Sequence, residues 1–243
     1  MPERRLPDSP FWVDPESVAP DHLTLSREES HHLLHVHRAS AGTPFQAIDG
    51  EGNFFECVVQ SVEPRAVRGR IVERRAEVGE LARAIRILVG IPDWGAIEQI
   101  VAHGVPLGAS GFHFALCERS GRGTPGAERV ERLTRIARAA LKQSRRSRMP
   151  TLGFAGSLRQ ALGVLGESGA RFLADPDGSP AASTLAGSAQ TDIVLAVGPP
   201  GGFTVEERRF LHENQFSPIS LGPSRLTTET AALVLISLAR SQL

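Results

Sequence analysis

The 243-residue sequence has only two cysteines, Cys57 and Cys117, and no surplus of charge, with 27 basic residues against 27 acidic ones. Both cysteines stand in apolar runs without Cys-x-x-Cys spacing, so neither a disulfide framework nor a cysteine-based zinc site is expected, and a reducing cytoplasm suits the chain. The neutral balance excludes a global excess of positive charge, so any basic surface has to be local. No stretch reaches the about 18 consecutive apolar residues that a membrane span needs, and the opening MPERRLPDSPFWV has no apolar core of signal-peptide length. The Gly198–Gly202 turn is neither a Walker loop, for lack of a Gly-Lys-Ser/Thr ending, nor a GxGxxG fingerprint, and no HExxH motif is present. No Ser/His/Asp or Cys/His set is readable from spacing, so nucleophilic catalysis has no support. A soluble cytoplasmic protein with no metal and no membrane partner is expected.

What is present divides near residue 80. Ser26 and Glu29 have capping-box spacing at the start of an apolar-periodic helix that runs to about Arg38. Strands are predicted at Phe45–Asp49, Phe54–Val62 and Val67–Glu73, separated by Asp49-Gly50-Glu51-Gly52 and by Pro64, the rhythm of a small β-rich module. From Ile85 strands and helices alternate: strands at Ile85–Ile91, Phe112–Cys117, Arg171–Ala174, Ile193–Val197 and Pro218–Leu221, helices at about Ala96–Val105, Ala127–Gln143, Ser157–Leu165, Val205–Asn214 and from Thr228. That order predicts an α/β domain with a mainly parallel sheet. Asp175–Ser188, rich in Gly, Ser, Ala and Pro, reads as a loose loop.

Two late glycine-bearing turns follow strands. Gly198-Pro199-Pro200-Gly201-Gly202 leads into a helix whose Thr204 and Glu207 again have capping-box spacing. The prolines fix φ and donate nothing, whereas the glycines permit positive φ and close approach, so the donors are confined to the glycine side at a helix N-terminus. Leu221-Gly222-Pro223 is the second turn. Ligands of open α/β sheets gather beyond the carboxyl ends of strands, so the two turns are expected to flank one pocket; a tight structural turn is the bland alternative. The helix from Thr228 is apolar almost all round, which fits either a core helix or a subunit interface.

Arg129, Arg132, Arg135, Arg138, Lys142 and Arg145 recur every three or four residues opposite an apolar stripe, and Arg146 and Arg148 follow. Eight positive charges thus gather within 20 residues against the single acid Glu131, a local surface suited to phosphates, with a plain solvated helix face as its alternative. The dominance of arginine favours RNA, because guanidinium groups pair bidentately with phosphate and stack on bases. His31, His32, His35 and His37 crowd one helix; without cysteines or carboxylates in pattern around them, a packed or RNA-facing helix is expected rather than a metal site.

Taken in order, Glu29-Ser30-His31-His32-Leu33-Leu34, Arg38, Gly42, Asp49-Gly50-Glu51-Gly52, Glu118-Arg119-Ser120, Gln143-Ser144-Arg145-Arg146-Ser147-Arg148-Met149-Pro150, Gly198-Pro199-Pro200-Gly201-Gly202-Phe203, Leu221-Gly222-Pro223 and Thr228-Glu229-Thr230-Ala231 resemble the RsmE family of ribosomal RNA small subunit methyltransferases over nearly the whole chain. The resemblance implies a PUA-like β-barrel over residues 1–78 and a SPOUT-like α/β domain, trefoil-knotted, over residues 79–243. It also implies S-adenosyl-L-methionine as cofactor, N3 methylation of a uridine in 16S ribosomal RNA on the small subunit, and a homodimer. Carried over by position, Val197, Gly198, Gly201, Gly202, Leu221, Gly222 and Leu226 would surround the cofactor, with Arg225 and Glu229 as catalytic candidates and His31, His32, Arg38, Arg132, Arg135, Arg145, Arg146 and Arg148 facing RNA. The chain departs from the family at Pro200, where a glutamate is usual, and at Ser224 and Thr227, where basic residues are common; His103 and Pro106 replace a lysine and a glutamate. A catalytically silent RNA-binding or ribosome-assembly factor on the same scaffold, and a small-molecule enzyme holding a phosphate in the glycine turns, are the alternatives.

Overall fold

A computed structural model gives the fold, and the structure describes residues 9–121, 123–166, 168–187 and 192–242. The first eight residues of the opening segment and Ser188, the last residue of the predicted loop, lie outside the described residues. Two compact units emerge: one gathers the chain up to Glu80 together with Arg138–Met149, the other Leu81–Ala137 together with Pro150 onward.

In the first unit a five-stranded sheet is ordered β1-β3-β4-β5-β2, from β1 (Phe11–Trp12), β2 (His22–Thr24), β3 (Pro44–Ile48), β4 (Asn53–Val62) and β5 (Val67–Ala76). β1 runs parallel to β3 and the other pairings are antiparallel. The alternation of β4 puts Phe55, Cys57 and Val59 inward against Phe11, Leu23, Phe45 and Val67. Gly69 lies under the Phe45 ring, where a Cβ would come within 2.4 Å of Cζ. β1 and β2 escape sequence reading because two or three residues are too few to show alternation. The predicted first helix also differs. Helix α1 covers Arg27–His31, and the chain then widens into a π-helical turn, His32–Val36, closed by the His37 amide donating to the His32 carbonyl at 3.4 Å. Through that turn His32 and His37 both meet the edge of Phe11.

In the second unit six strands form a sheet ordered β11-β9-β10-β6-β7-β8, every pairing parallel. The strands are β6 (Ile85–Gly90), β7 (Gly111–Ala115), β8 (Thr151–Ala155), β9 (Ala170–Pro180), β10 (Ile193–Val197) and β11 (Ser217–Ser220). Parallel strands covered on both faces are apolar throughout, and all five residues of β7 and of β10 are buried. Helices α2 (Trp94–Gly104), α3 (Ala127–Ser144), α4 (Leu158–Leu165), α5 (Ala181–Ala186), α6 (Val205–Glu213) and α7 (Thr228–Arg240) alternate with them, the last residues of α3 belonging to the first unit. Asp93, Ser157, Thr204 and Thr227 cap four of these helices through their side chains.

The described part of the predicted Asp175–Ser188 loop is ordered into two elements. β9 continues to Pro180, where Ser179 and Pro180 pair with Ile219 and Ser220, and α5 follows. Composition alone misses this because the strand is recruited by its neighbour β11; the ladder skips Ala174–Gly178, leaving a bulge rich in turn formers. β8 also escapes sequence reading, because Thr151–Ala155 is short and at most half-buried.

His113 on β7 is 7% exposed, and its Nε2 has no partner among the described residues. Burial, and then the charge of Arg86, holds its pKa below the ordinary imidazole value of 6.5. The unfolded chain takes up that proton near pH 6.5 and the folded chain resists it, so stability from this group is full above pH 6.5 and falls as pH drops below it. Urea unfolding at pH 7.5 and 5.5 is expected to show a drop in wild type that His113→Leu reduces, by at most about 1.4 kcal/mol per pH unit. Equal drops would contradict the assignment.

Candidate functional site

Because β10 and β11 run in the same direction, both chain exits lie at one edge of the second unit's sheet. The first exit is the bend Gly198–Gly202, anchored by buried Phe203 and by the Thr204 capping box, in which Thr204 and Glu207 exchange hydrogen bonds of 2.9 and 3.2 Å. The second exit, Leu221–Leu226, ends in the Thr227 cap of α7. The two are tied together. The Thr228 hydroxyl donates to the Gly198 carbonyl at 3.0 Å, and Arg225 Nη2 donates to the Pro200 carbonyl at 3.2 Å. Val197 is buried at the root of the first bend, and Gly198, Gly202, Leu221 and Leu226 are half-buried while Gly201 and Gly222 are exposed.

The glycines of the bends serve different ends. Gly202 and Gly222 have φ of +72° and +107°, yet a Cβ at either would meet nothing within 4 Å, so conformation rather than crowding requires them. Gly198 is crowded instead, since a Cβ would come within 2.9 Å of the Phe203 amide nitrogen. At Gly201 a Cβ would sit 3.0 Å from Arg119 Cβ, and Arg119 Nη1 donates to the Gly201 carbonyl at 3.0 Å. Pro199 packs on Gly90 at the end of β6, where a Cβ would lie 2.4 Å from its Cδ.

A third loop therefore joins the two that the sequence singled out. In Cys117–Ser120 the Ser120 hydroxyl accepts from the Cys117 amide at 3.0 Å, and the Glu118 amide donates to Glu207 Oε1 at 2.8 Å. Glu207 thus divides its carboxylate between the α6 cap and this loop. Sequence spacing marked Glu207 only as a capping residue and gave Thr228 and Arg119 no part, since contacts across parallel strands have no fixed sequence separation. The Cys117 thiol is pushed by burial up to about 12, and the Cys57 thiol likewise, so both stay protonated at neutral pH. Arg225 is exposed and Glu229 is half-buried in the first turn of α7. A shallow depression of about 280 Å³ between Ser157, Arg159, Glu206 and Phe210 also includes Glu207 but none of the bend residues.

The basic cluster is largely spent within the protein. Arg132 pairs bidentately with Glu98 at 2.5 and 2.9 Å, which, with the Trp94 indole N–H adding, holds the Glu98 carboxyl below the usual range. Arg129 lies over the Trp94 ring and Arg138 over Trp12. Lys142 meets Glu29 at 2.5 Å. Arg146, 2% exposed, is bound to Glu80, and exposed Arg148 is bound to Glu77, whose carboxyl it depresses. The expectation that Arg146 faces RNA is corrected on this point: its guanidinium is withdrawn from solvent by the ion pair. Arg135 stays exposed, with no partner among the described residues, and exposed Arg145 reaches Gln46. Arg145 also has φ of +57° in a Schellman closure of α3, with the Arg145 and Arg146 amides donating to Lys142 and Leu141. His31, His32 and Arg38 are exposed, and the His31 ring lies tilted by 36° against that of His35, with ring centroids 4.3 Å apart. Among the described residues no group of three or more His, Cys, Asp or Glu is placed to hold a metal, and no helix is long and apolar enough to cross a membrane.

The model of an RNA methyltransferase domain matches residues 79–240, and that of an RNA methyltransferase PUA domain matches residues 25–72. Among curated proteins, "Ribosomal RNA small subunit methyltransferase E" of Bacillus subtilis is 29% identical, covering 88% of this chain and 88% of the relative. The protein of the same name from Synechocystis is 28% identical over 93% of this chain and 75% of its own length. The crystal structure of a ribosomal RNA small subunit methyltransferase E from Neisseria gonorrhoeae bound to S-adenosyl methionine superposes with a TM-score of 0.82 at 23% identity, covering 96% of this chain and 97% of that one.

Left-handed backbone at a non-glycine residue is costly, so Arg145→Gly is expected to raise stability by about 0.5–1 kcal/mol in urea titrations. A loss of stability would show that the Arg145 side chain outweighs its backbone strain.

Proposed function

Since the chain belongs to the RNA methyltransferase family whose domain model spans residues 79–240, we propose that it transfers a methyl group from S-adenosyl-L-methionine to N3 of a uridine in the 16S RNA of the small ribosomal subunit. The two curated relatives named as small subunit methyltransferase E, and the neighbour bound to S-adenosyl methionine, support that choice of substrate and cofactor. The observation that carries the reading is the 3.0 Å bond from Thr228 to the Gly198 carbonyl, which joins the two glycine bends at one sheet edge.

The donor set suits the cofactor. Gly202 and Gly222 offer peptide groups with open space where side chains would stand, beside the apolar side chains of Val197, Leu221 and Leu226. When bound, S-adenosyl-L-methionine supplies an electrophilic methyl group on a sulfonium. Val197, Gly198, Gly201, Gly202, Leu221, Gly222 and Leu226 hold it, largely through backbone groups. Arg225, fixed on the Pro200 carbonyl, stabilises the negative charge that grows on the uracil ring as N3 gives up its proton. Glu229 is the carboxylate in the first turn of α7 available to orient the base or take that proton. Thr227, in a family position where a basic residue is common, caps α7 here and aligns that turn.

On the RNA side, His31, His32, Arg38, Arg135 and Arg145 face the nucleic acid directly. Arg132 and Arg148 take part by exchanging Glu98 and Glu77 for phosphates. The protein works as a cytoplasmic homodimer with no membrane association, and the trefoil threading implied by the family resemblance completes the α/β domain.

Calorimetry with S-adenosyl-L-methionine is expected to show saturable binding, and mass mapping of 16S RNA from a deletion strain one missing methyl group. Binding without a lost modification would refute the rRNA assignment, and no binding would refute the cofactor. Arg225→Ala is expected to lower kcat about 100-fold while changing cofactor affinity less than about threefold; the reverse pattern would remove Arg225 from the charge-stabilising role.

A further inference from the structure

We propose that Arg119 and Arg225 together form a two-guanidinium clamp for a phosphate of the RNA chain next to the target base, with Glu207 as the positioning residue that sets it. The proposal rests on the RNA methyltransferase reading above and gives a role to a residue outside its catalytic and cofactor sets.

The two guanidinium groups come from different loops and end on consecutive carbonyls of one bend, Arg225 on Pro200 at 3.2 Å and Arg119 on Gly201 at 3.0 Å. Both residues are exposed, as are Pro200 and Gly201. What sets the pair apart is the partner. Arg132, Arg146 and Arg148 end on the carboxylates of Glu98, Glu80 and Glu77, which cancel their charge. A peptide carbonyl orients a guanidinium but removes none of its charge, and it occupies one of five N–H donors. Among the described residues neither Arg119 nor Arg225 forms an ion pair. Two like charges held on adjacent peptide groups call for an anion, and forked planar donors match the oxygens of a phosphodiester.

The arrangement is built in advance. Arg119 stands in the turn closed by Ser120 on the Cys117 amide, and the neighbouring Glu118 amide is bound by Glu207 Oε1. The second Glu207 oxygen receives the Thr204 amide at the end of the glycine bend. One carboxylate therefore fixes both the loop that carries Arg119 and the bend that receives it. Gly201 has no side chain because the stem of Arg119 lies over it. RNA phosphate is favoured over the cofactor's own carboxylate because the guanidiniums end on the exposed residues of the bend, whereas its buried root begins at Val197.

The test measures binding of a 16S ribosomal RNA transcript to the full-length protein over a salt series, alongside calorimetry with S-adenosyl-L-methionine. Arg119→Gln keeps a donor for the Gly201 carbonyl and removes the charge. It is expected to weaken RNA binding about tenfold and to lower the slope of log K against log salt by about one, with cofactor affinity within about twofold of wild type. Arg119→Lys is expected to recover most of the slope. Pro200→Glu, which sets a carboxylate beside both guanidiniums, is expected to reduce the slope with neither arginine altered. Glu207→Gln is expected to raise KM for RNA more than it lowers kcat. An unchanged salt slope in Arg119→Gln, or a loss confined to cofactor affinity, would overturn the clamp. RNA affinity is read without turnover, so a wild-type protein that binds RNA and transfers no methyl group would count against the proposed function while the clamp stands or falls on the slope.

Discussion

A single hydroxyl holds the site together. Thr228, buried at the start of α7, donates to the carbonyl of Gly198 at the end of β10, and so fixes the distance between two chain exits that are separated in the sheet by β9. Parallel strands bring both exits to one edge, but they do not set the loops beyond them in register; that takes a specific contact. With Thr228 in place, the N-terminal turn of α7 and the glycine bend face each other, and Arg225 can span from one to the other. The bend itself is rigid from both ends, since Phe203 is buried in the core and Pro199 packs on Gly90. Rigidity of this kind lets backbone groups serve as ligands, because preformed donors need no reorganisation when they engage.

Charge in this protein is arranged by partner rather than by number. The sequence is neutral overall and carries one dense basic run, which suggests a cationic platform. In the structure Glu29, Glu77, Glu80 and Glu98 take up Lys142, Arg148, Arg146 and Arg132. These pairs differ in kind. The Arg146 pair is buried and fixes chain geometry, since Glu80 also accepts hydrogen bonds from the Ser147 and Arg148 amides, whereas the Arg132 and Arg148 pairs are open to solvent and exchangeable. At the glycine bend the guanidinium groups of Arg119 and Arg225 end on carbonyls and keep their charge.

Much of this was legible in the sequence, for reasons that explain what was not. Long periodic segments such as α3, and continuous apolar runs such as Ile193–Val197, depend on local pattern, and they stand where the pattern puts them. The capping pair Thr204 and Glu207 was readable because its spacing is set by the helix itself. The strands β1, β2 and β8 and the second half of β9 were missed because they owe their conformation to neighbours far along the chain. At the site, the glycine bends announced themselves through composition, while Thr228, Arg119 and the second use of Glu207 depend on tertiary contacts. The fates of Arg132, Arg146 and Arg148 were hidden for the same reason, since a helical wheel shows which face a residue occupies and not which carboxylate waits there.

Amide hydrogen exchange with and without S-adenosyl-L-methionine reads the paired bends in a way that stability or turnover cannot. Slowed exchange is expected at the non-proline amides of residues 198–203 and 221–227 together, with the first-unit sheet unchanged. Saturable cofactor binding that protected only one of the two bends, or neither, would contradict a site gripped between them.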